Sequence, residues 1–156
     1  MLAEWAAAAG MSVIQLLPVN DTSVTGTWRD SYPYNPLSCF ALHPLYVCGE
    51  DAVAACRAFC SAEEAEALQE VLDGCLRRGA VLNALPEVDY ESVMALKHDL
   101  LRGVYDVCGE RMVASDDCRR FVSENDSWLV PYAVFCSLRS EYGDERAKWG
   151  LSLIHI

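Results

Sequence analysis

Residues 12–47 read SVIQLLPVNDTSVTGTWRDSYPYNPLSCFALHPLYV, and this stretch decides the fold. It opens on Val13-Ile14-Gln15-Leu16-Leu17, a run too short for an independent helix and rich in strand formers. Apolar side chains fall on both faces, the pattern of a strand buried on both sides in a parallel sheet covered by helices. Pro18 has no N–H to give and stops the ladder. Just upstream, Leu2, Trp5, Ala6 and Ala9 recur at helical spacing, and Gly10 provides a left-handed stop. A helix leading within two residues into a buried strand is the rhythm of an α/β barrel or a doubly wound sheet. That helix is already under way at Met1, so chain is expected to precede it.

After Pro18 the stretch turns long and irregular. Gly26, Pro33, Pro36 and Pro44 interrupt it, yet it carries Trp28, Tyr32, Tyr34, Phe40 and Tyr46. Long loops without secondary structure are uncommon in compact domains and are usually functional where they occur. Aromatic rings beside Asn20, Asp21, Asp30 and Ser31 suit a sugar, whose ring faces stack while its hydroxyls need polar partners. The plainer alternative is an ordered cover packed on the core.

The 156 residues are enough for one domain with a sizeable core, and 53% hydrophobic against 22% charged residues is a globular composition. A net charge of −11 argues against a nucleic-acid partner or an anionic membrane, both of which call for a basic footprint. No apolar run approaches the ~20 residues of a membrane span. The eight cysteines lie mostly at apolar positions of helical patterns, where a free thiol acts as a small hydrophobe. Without a signal peptide they read as reduced, which implies a cytoplasmic protein. Cys56 and Cys60 share a helix face, but no Cys-x-x-Cys or His pair completes a metal site, and no cofactor is expected.

From Gly49 onward the pattern is helical. Residues 50–59 form one amphipathic piece. Ser61 and Glu64 make a capping box for a helix whose stripe is Leu68, Val71, Leu72 and Cys75, with Gly79 expected to end it. Residues 81–85 are a possible weak strand, and Pro86 marks a break. Asp89 caps a helix striped by Val93, Leu96, Leu100, Leu101, Val104 and Cys108. A short helix is expected from Ser115 or Asp116 through Val122. The last is expected to start at Asp126 or Ser127, with Pro131 in its first turn and Trp128, Tyr132, Phe135, Cys136 and Arg139 on one side. His98 reads as part of a solvated face.

The order QLLPVNDT, DSYPYNPLS, FALHPLYV resembles the first-strand region of the 4-α-glucanotransferases, the amylomaltase or disproportionating-enzyme family. Gln15 to Thr22, Pro33-Tyr34, Ser38, Phe40-Ala41 and Pro44 carry the likeness. Tyr32, inserted between Ser31 and Pro33, and His43, where Asn is usual, resemble the plant-type cytosolic branch. LPEVDYESVMALKHDLL, FVSENDSWLVPYAVFCSLRSEYG and KWG look like that branch's helical insertion, so the resemblance runs from Ala3 to Gly150.

The resemblance implies a fragment of a (β/α)8 TIM barrel. Residues 1–49 would be the first helix–strand unit with its substrate-side loop, and residues 50–150 a mostly helical inserted subdomain. Residues 151–156, LSLIHI, read as a non-native tail. The remainder of the barrel would lie outside this chain, since one buried strand calls for sheet neighbours. The implied chemistry is glucosyl transfer between α-glucans or from maltose by a retaining double displacement with two carboxyl groups. None of the residues here matches those carboxylates, so an isolated fragment is expected to be inactive. The loop would instead line the substrate site, with Tyr34 corresponding to the family's loop tyrosine beside the donor sugar. Asn20, Asp21, Asp30 and Ser31 complete the candidate substrate-binding set. A non-catalytic sugar-binding module and a helical interaction module are the alternatives.

Overall fold

The computed structural model describes residues 2–143. Five α-helices account for most of them: α1 Leu2–Ala8, α2 Gly49–Cys56, α3 Ala62–Asn83, α4 Tyr90–Ala114 and α5 Asp116–Tyr142. Single turns of 3-10 helix stand at Trp28–Ser31, Pro44–Tyr46 and Arg57–Phe59. Among the described residues there is no strand, and β pairing is limited to an isolated antiparallel bridge between Asn20 and Leu42. The described residues are thus mostly helical, and the strand expected at 13–17 is not formed among them. Residues 11–19 carry no regular structure, and Val13, Leu16 and Leu17 face solvent, Val13 at 83% exposure. The reason is physical. A strand exists only through bonds to a neighbour, and none of the described residues runs beside this segment to supply them. The tail at 151–156 lies outside the described residues.

The core forms where α2, α3 and α4 meet. Val53 and Cys56 from α2, Leu68 and Leu72 from α3, and Leu100, Val104 and Cys108 from α4 make one buried cluster, with Phe59, Cys60 and Met112 packed against it. The stripes expected on α3 and α4 therefore point inward. All eight cysteines are free thiols, and Cys39 and Cys48 are exposed. Glu64 pairs with Arg111 at 2.5 Å, Val71 lies against Gly103, and Gly79 lies against Leu96. These pairings run in opposite sequence directions, so α3 and α4 are antiparallel.

Local signals set several of the ends. The Ser61 side chain accepts from the Glu64 N–H while the Glu64 carboxylate accepts from the Ser61 N–H, so the capping box at α3 is present. Asp89 accepts from the Ser92 N–H at 3.0 Å and opens α4. Gly10, at φ +76°, follows α1 in the left-handed region. Other ends differ from expectation. Gly79 does not stop α3, which runs on to Asn83, because a glycine in a packed helix costs only ~1 kcal/mol. Residues 81–83 accordingly finish a helix instead of forming a strand.

Nor do Asp126 and Ser127 cap a last helix. Ser115 opens a single α5 by accepting from the Cys118 N–H, and Pro131 sits in its interior. Pro131 cannot donate to the carbonyl one turn back, at Ser127, but both residues are exposed and water can serve that carbonyl. No residue of α5 is fully buried. Its expected stripe of Trp128, Tyr132, Phe135, Cys136 and Arg139 is half-buried.

At Gly103, α4 packs close against α3. A Cβ there would stand 2.8 Å from Val71 Cγ1, and Val71 is β-branched and stiff. At Gly74 an added Cβ would meet only the end of Arg77 at 3.9 Å. Gly103→Ala should therefore destabilise by ~1–2 kcal/mol, overpacking exceeding the gain in helix propensity. Gly74→Ala should stabilise by ~0.5–1 kcal/mol. Paired urea titrations check the opposite signs.

Candidate functional site

The irregular stretch after Pro18 is an ordered loop whose two arms are strapped together at the base. The Asp21 N–H donates to the Ala41 carbonyl at 2.9 Å, and the His43 N–H donates to the Val19 carbonyl at 3.0 Å. The Asp21 carbonyl accepts from the Leu37 N–H at 2.7 Å, and Asn20 Nδ2 donates to the Cys39 carbonyl at 2.8 Å. Further out, Asp30 gathers a tight turn. Its carboxylate accepts from the N–H and hydroxyl of Thr25 and from the Gly26 N–H, while Gly26 takes φ +69°. An aspartate folding the backbone onto itself is a local device of turns.

Helices α4 and α5 hold this loop from one side. Asp21, only 1% exposed, accepts from the Ser23 N–H and hydroxyl at 2.9 and 2.6 Å and from the Tyr132 hydroxyl at 2.5 Å. Burial alone would raise its carboxyl pKa, but the Ser23 and Tyr132 donors outweigh burial and hold it below the usual 3.8. Burial and the Asp21 partner together push the Tyr132 phenol far up, so the proton stays on Tyr132. Arg139 Nη1 donates to the Ser23 carbonyl, Lys97 Nζ to the Val47 carbonyl, and the Trp28 N–H to Glu91 Oε1 at 2.8 Å. Phe40 stacks on Trp128 with centroids 5.4 Å apart and planes 25° from parallel.

His43 closes the base of the loop. Its Nδ1 accepts from the Leu45 N–H at 3.1 Å, which leaves the ring proton on Nε2, 2.7 Å from the Tyr90 hydroxyl. Burial lowers the imidazole pKa below 6.5, and the nearby Asp21 and Asp30 carboxylates offset this only in part. Burial, with Asp30 and Asp21 adding to it, pushes Tyr90 up to about 12.

The five residues expected to bind substrate fall into two groups. Asp21 and Asp30 are buried, and each carboxylate is occupied by donors from the protein itself. Asn20 is half-buried and bonded within the loop. Ser31 and Tyr34 face solvent, Tyr34 at 60% exposure with its ring edge-on to Tyr32 at 5.5 Å. Trp28, Tyr32, Phe40 and Tyr46 are exposed as well. Asp30 is the one member of the set that lines a cavity of about 420 Å³ between the loop and α4 and α5, together with Tyr90, Glu91, His98 and Arg139.

Sequence reasoning did not single out Tyr90 or Glu91, and it placed Tyr132 and Arg139 only on one side of the last helix. Only the ring and charge at helical spacing on α5 could have drawn attention to the last two.

Comparisons with known proteins identify the family of this chain. Residues 1–154 match the 4-alpha-glucanotransferase family, glycoside hydrolase family 77, and the chain belongs to it. It is 38% identical over 155 residues to the 4-alpha-glucanotransferase DPE2 of Oryza sativa subsp. japonica, covering 96% of this chain and 15% of that protein. The 4-alpha-glucanotransferase of Chlamydia trachomatis is 32% identical over 137 residues, 87% of this chain and 23% of its own length. That of Chlamydia pneumoniae is 30% identical over 159 residues, 97% of this chain and 26% of its own. The chain thus spans about a quarter or less of the length of these relatives. No solved structure matches.

The state of His43 gives a pH dependence with a definite sign. Above pH 6.5 the imidazole is neutral both folded and unfolded, and its bonds to Leu45 and Tyr90 are intact. Below it the unfolded chain takes up the proton first, because the folded pKa is the lower one. Stability should therefore fall as pH drops from about 7 to 5.5, by no more than ~1.4 kcal/mol per pH unit for one group. Urea midpoints across that range should show the fall, and His43→Gln should flatten it.

Proposed function

We propose that this chain is the part of a 4-α-glucanotransferase that carries one wall of the glucan site. In this reading residues 1–49 are a helix–strand unit of a (β/α)8 barrel with its substrate-side loop. Residues 50–150 are a helical subdomain inserted beside it. The observation that carries the reading is the family match over residues 1–154, which includes the whole aromatic loop. The exposed apolar run at 13–17 supports the barrel, since it has the strand pattern and leaves apolar side chains for neighbouring elements to cover.

The substrate is an α-glucan or maltose. Transfer proceeds by a retaining double displacement, in which a carboxylate takes the glucosyl group and an acceptor hydroxyl removes it. Asp21 and Asp30 are unsuited to be that nucleophile: both are buried, and their oxygens are committed to Ser23 and Tyr132, and to Thr25 and Gly26. The nucleophile and the acid/base belong to the rest of the protein. This segment supplies binding surface. Tyr34 is its leading contact, offering a ring face to a glucose unit and a hydroxyl to a sugar oxygen. Pro33 restricts the backbone before it and reduces the entropy lost on binding. Asn20 and Ser31 lie on the same loop, and Asp21 and Asp30 contribute by shaping it.

Two measurements test this reading. The isolated chain should release no glucose from maltose or maltotriose, because positioned acid–base groups typically supply ~10²–10⁴-fold of rate and it has none to offer. In the full-length protein, Tyr34→Phe should keep the stack and lose ~0.5–1.5 kcal/mol of transition-state binding, read from kcat/KM. Tyr34→Ala should lose considerably more while changing stability by less than ~0.5 kcal/mol, as expected for a residue 60% exposed. Unfolding of Tyr34→Ala with normal transfer by the folded fraction would make Tyr34 a packing residue.

A further inference from the structure

We infer that Tyr132 and Arg139, both on α5, are positioning residues that hold the 20–43 loop in its substrate-ready form before any sugar arrives. The inference rests on the reading of this chain as part of a 4-α-glucanotransferase and adds to it a role for α5. Trp128, Tyr132 and Arg139 lie within about 40° of one another around α5 at 100° per residue. Each meets the loop at a different point: Trp128 at the Phe40 ring, Tyr132 at the Asp21 carboxylate, and Arg139 at the Ser23 carbonyl. Yet α5 contributes no fully buried residue to the fold. Its inward face is therefore spent on the loop and not on the core of α2, α3 and α4.

Asp21 is the point through which this hold reaches the aromatic tip. Its N–H and carbonyl bond to Ala41 and Leu37 on the returning arm, and its carboxylate bonds to Ser23 on the outgoing one. Thr22, next along, donates its hydroxyl to the Asp30 carbonyl, tying Asp21's neighbour to the self-closed 25–30 turn. Tyr34 is thus strung between two fixed points, Asp30 and Leu37. Removing the Tyr132 hydroxyl leaves a buried Asp21 oxygen without its donor, and the loop then gains by opening to let water in.

A loop that is in the binding form for only a fraction of the time weakens apparent affinity by that fraction, while a saturated enzyme has the loop fully formed. The signature is a rise in KM at constant kcat. A helix that merely stabilised the fold would instead lower the active fraction, reducing kcat at constant KM.

The test uses the full-length protein with maltotriose as donor, together with hydrogen exchange on the same samples. Tyr132→Phe should raise KM about tenfold with kcat within about twofold, the effect of losing one hydrogen bond to a charged group. The Asp21, Ser23 and Leu37 amides should exchange about tenfold faster while amides of α3 and α4 keep their protection. Arg139→Gln, at a half-buried site, should give the same pattern and guards against a folding failure of the first variant. A fall in kcat at unchanged KM with faster exchange in α3 and α4 would overturn the inference, making these residues purely structural. So would faster loop exchange with unaltered transfer, or no change in either readout. Absence of transfer by the unmodified protein would defeat the glucanotransferase reading instead, and loop exchange would then test the hold of α5 on its own.

Discussion

The buried carboxylate of Asp21 is the constraint on which the rest of this structure depends. At 1% exposure an ionised group survives only if its oxygens are met by donors, and Ser23 and Tyr132 meet them. Ser23 lies two residues away and Tyr132 lies 111 away, so one side chain joins a local turn to a distant helix. The backbone groups of Asp21 join the two arms of the loop as well. An irregular segment of this length, with four prolines and glycines breaking its periodicity, has no ladder of its own and is held by such polar ties.

These ties end on a helical scaffold whose stability has a different origin. The α2, α3 and α4 cluster is apolar, and the close approach of its helices depends on small residues such as Gly103 and on free thiols at Cys56 and Cys108. The loop adds little to that core. Its bonds to Tyr90, Glu91 and Lys97 on α4 and to Tyr132 and Arg139 on α5 attach it to a platform whose core cluster contains no loop residue. Such a division suits a binding surface, because the loop can vary in order or composition while the platform keeps its place.

Much of the platform was legible in the sequence because its signals are local. Ser61 with Glu64, Asp89, and Ser115 each lie within three residues of the N–H they cap, and the Leu68 and Leu100 stripes repeat at helical spacing. What failed was what depends on partners. Gly79 and Pro131 carry breaker chemistry, but packing at one and solvent at the other absorbed it, so α3 and α5 run through them. The site divided the same way. That this stretch belongs to the 4-alpha-glucanotransferase family was readable from its motifs. That Asp21 and Asp30 turn inward was not, since a carboxylate in a sequence does not announce whether it faces a ligand or its own backbone. The Tyr132–Asp21 pair, separated by 111 residues, leaves no periodic trace at all.

Residues 13–17 show the limit of pattern most clearly. Val13 and Ile14 have strong strand propensity, yet propensity measures how well side chains fit a half-buried pleated surface, not a preference of the isolated backbone. With no strand among the described residues to take the N–H and C=O groups, water is the better partner for them, and the side chains of Val13, Ile14, Leu16 and Leu17 remain exposed. Burying each would be worth roughly 1.5–3 kcal/mol, a large driving force concentrated in five residues. It bears on the proposed barrel in a specific way. The bridge between Asn20 and Leu42 lies just beyond Pro18, so the loop base is already closed where the apolar run ends. Pairing residues 13–17 with flanking strands would therefore add to an existing loop without reshaping it, and the aromatic surface around Tyr34 would be carried into the barrel mouth as it stands.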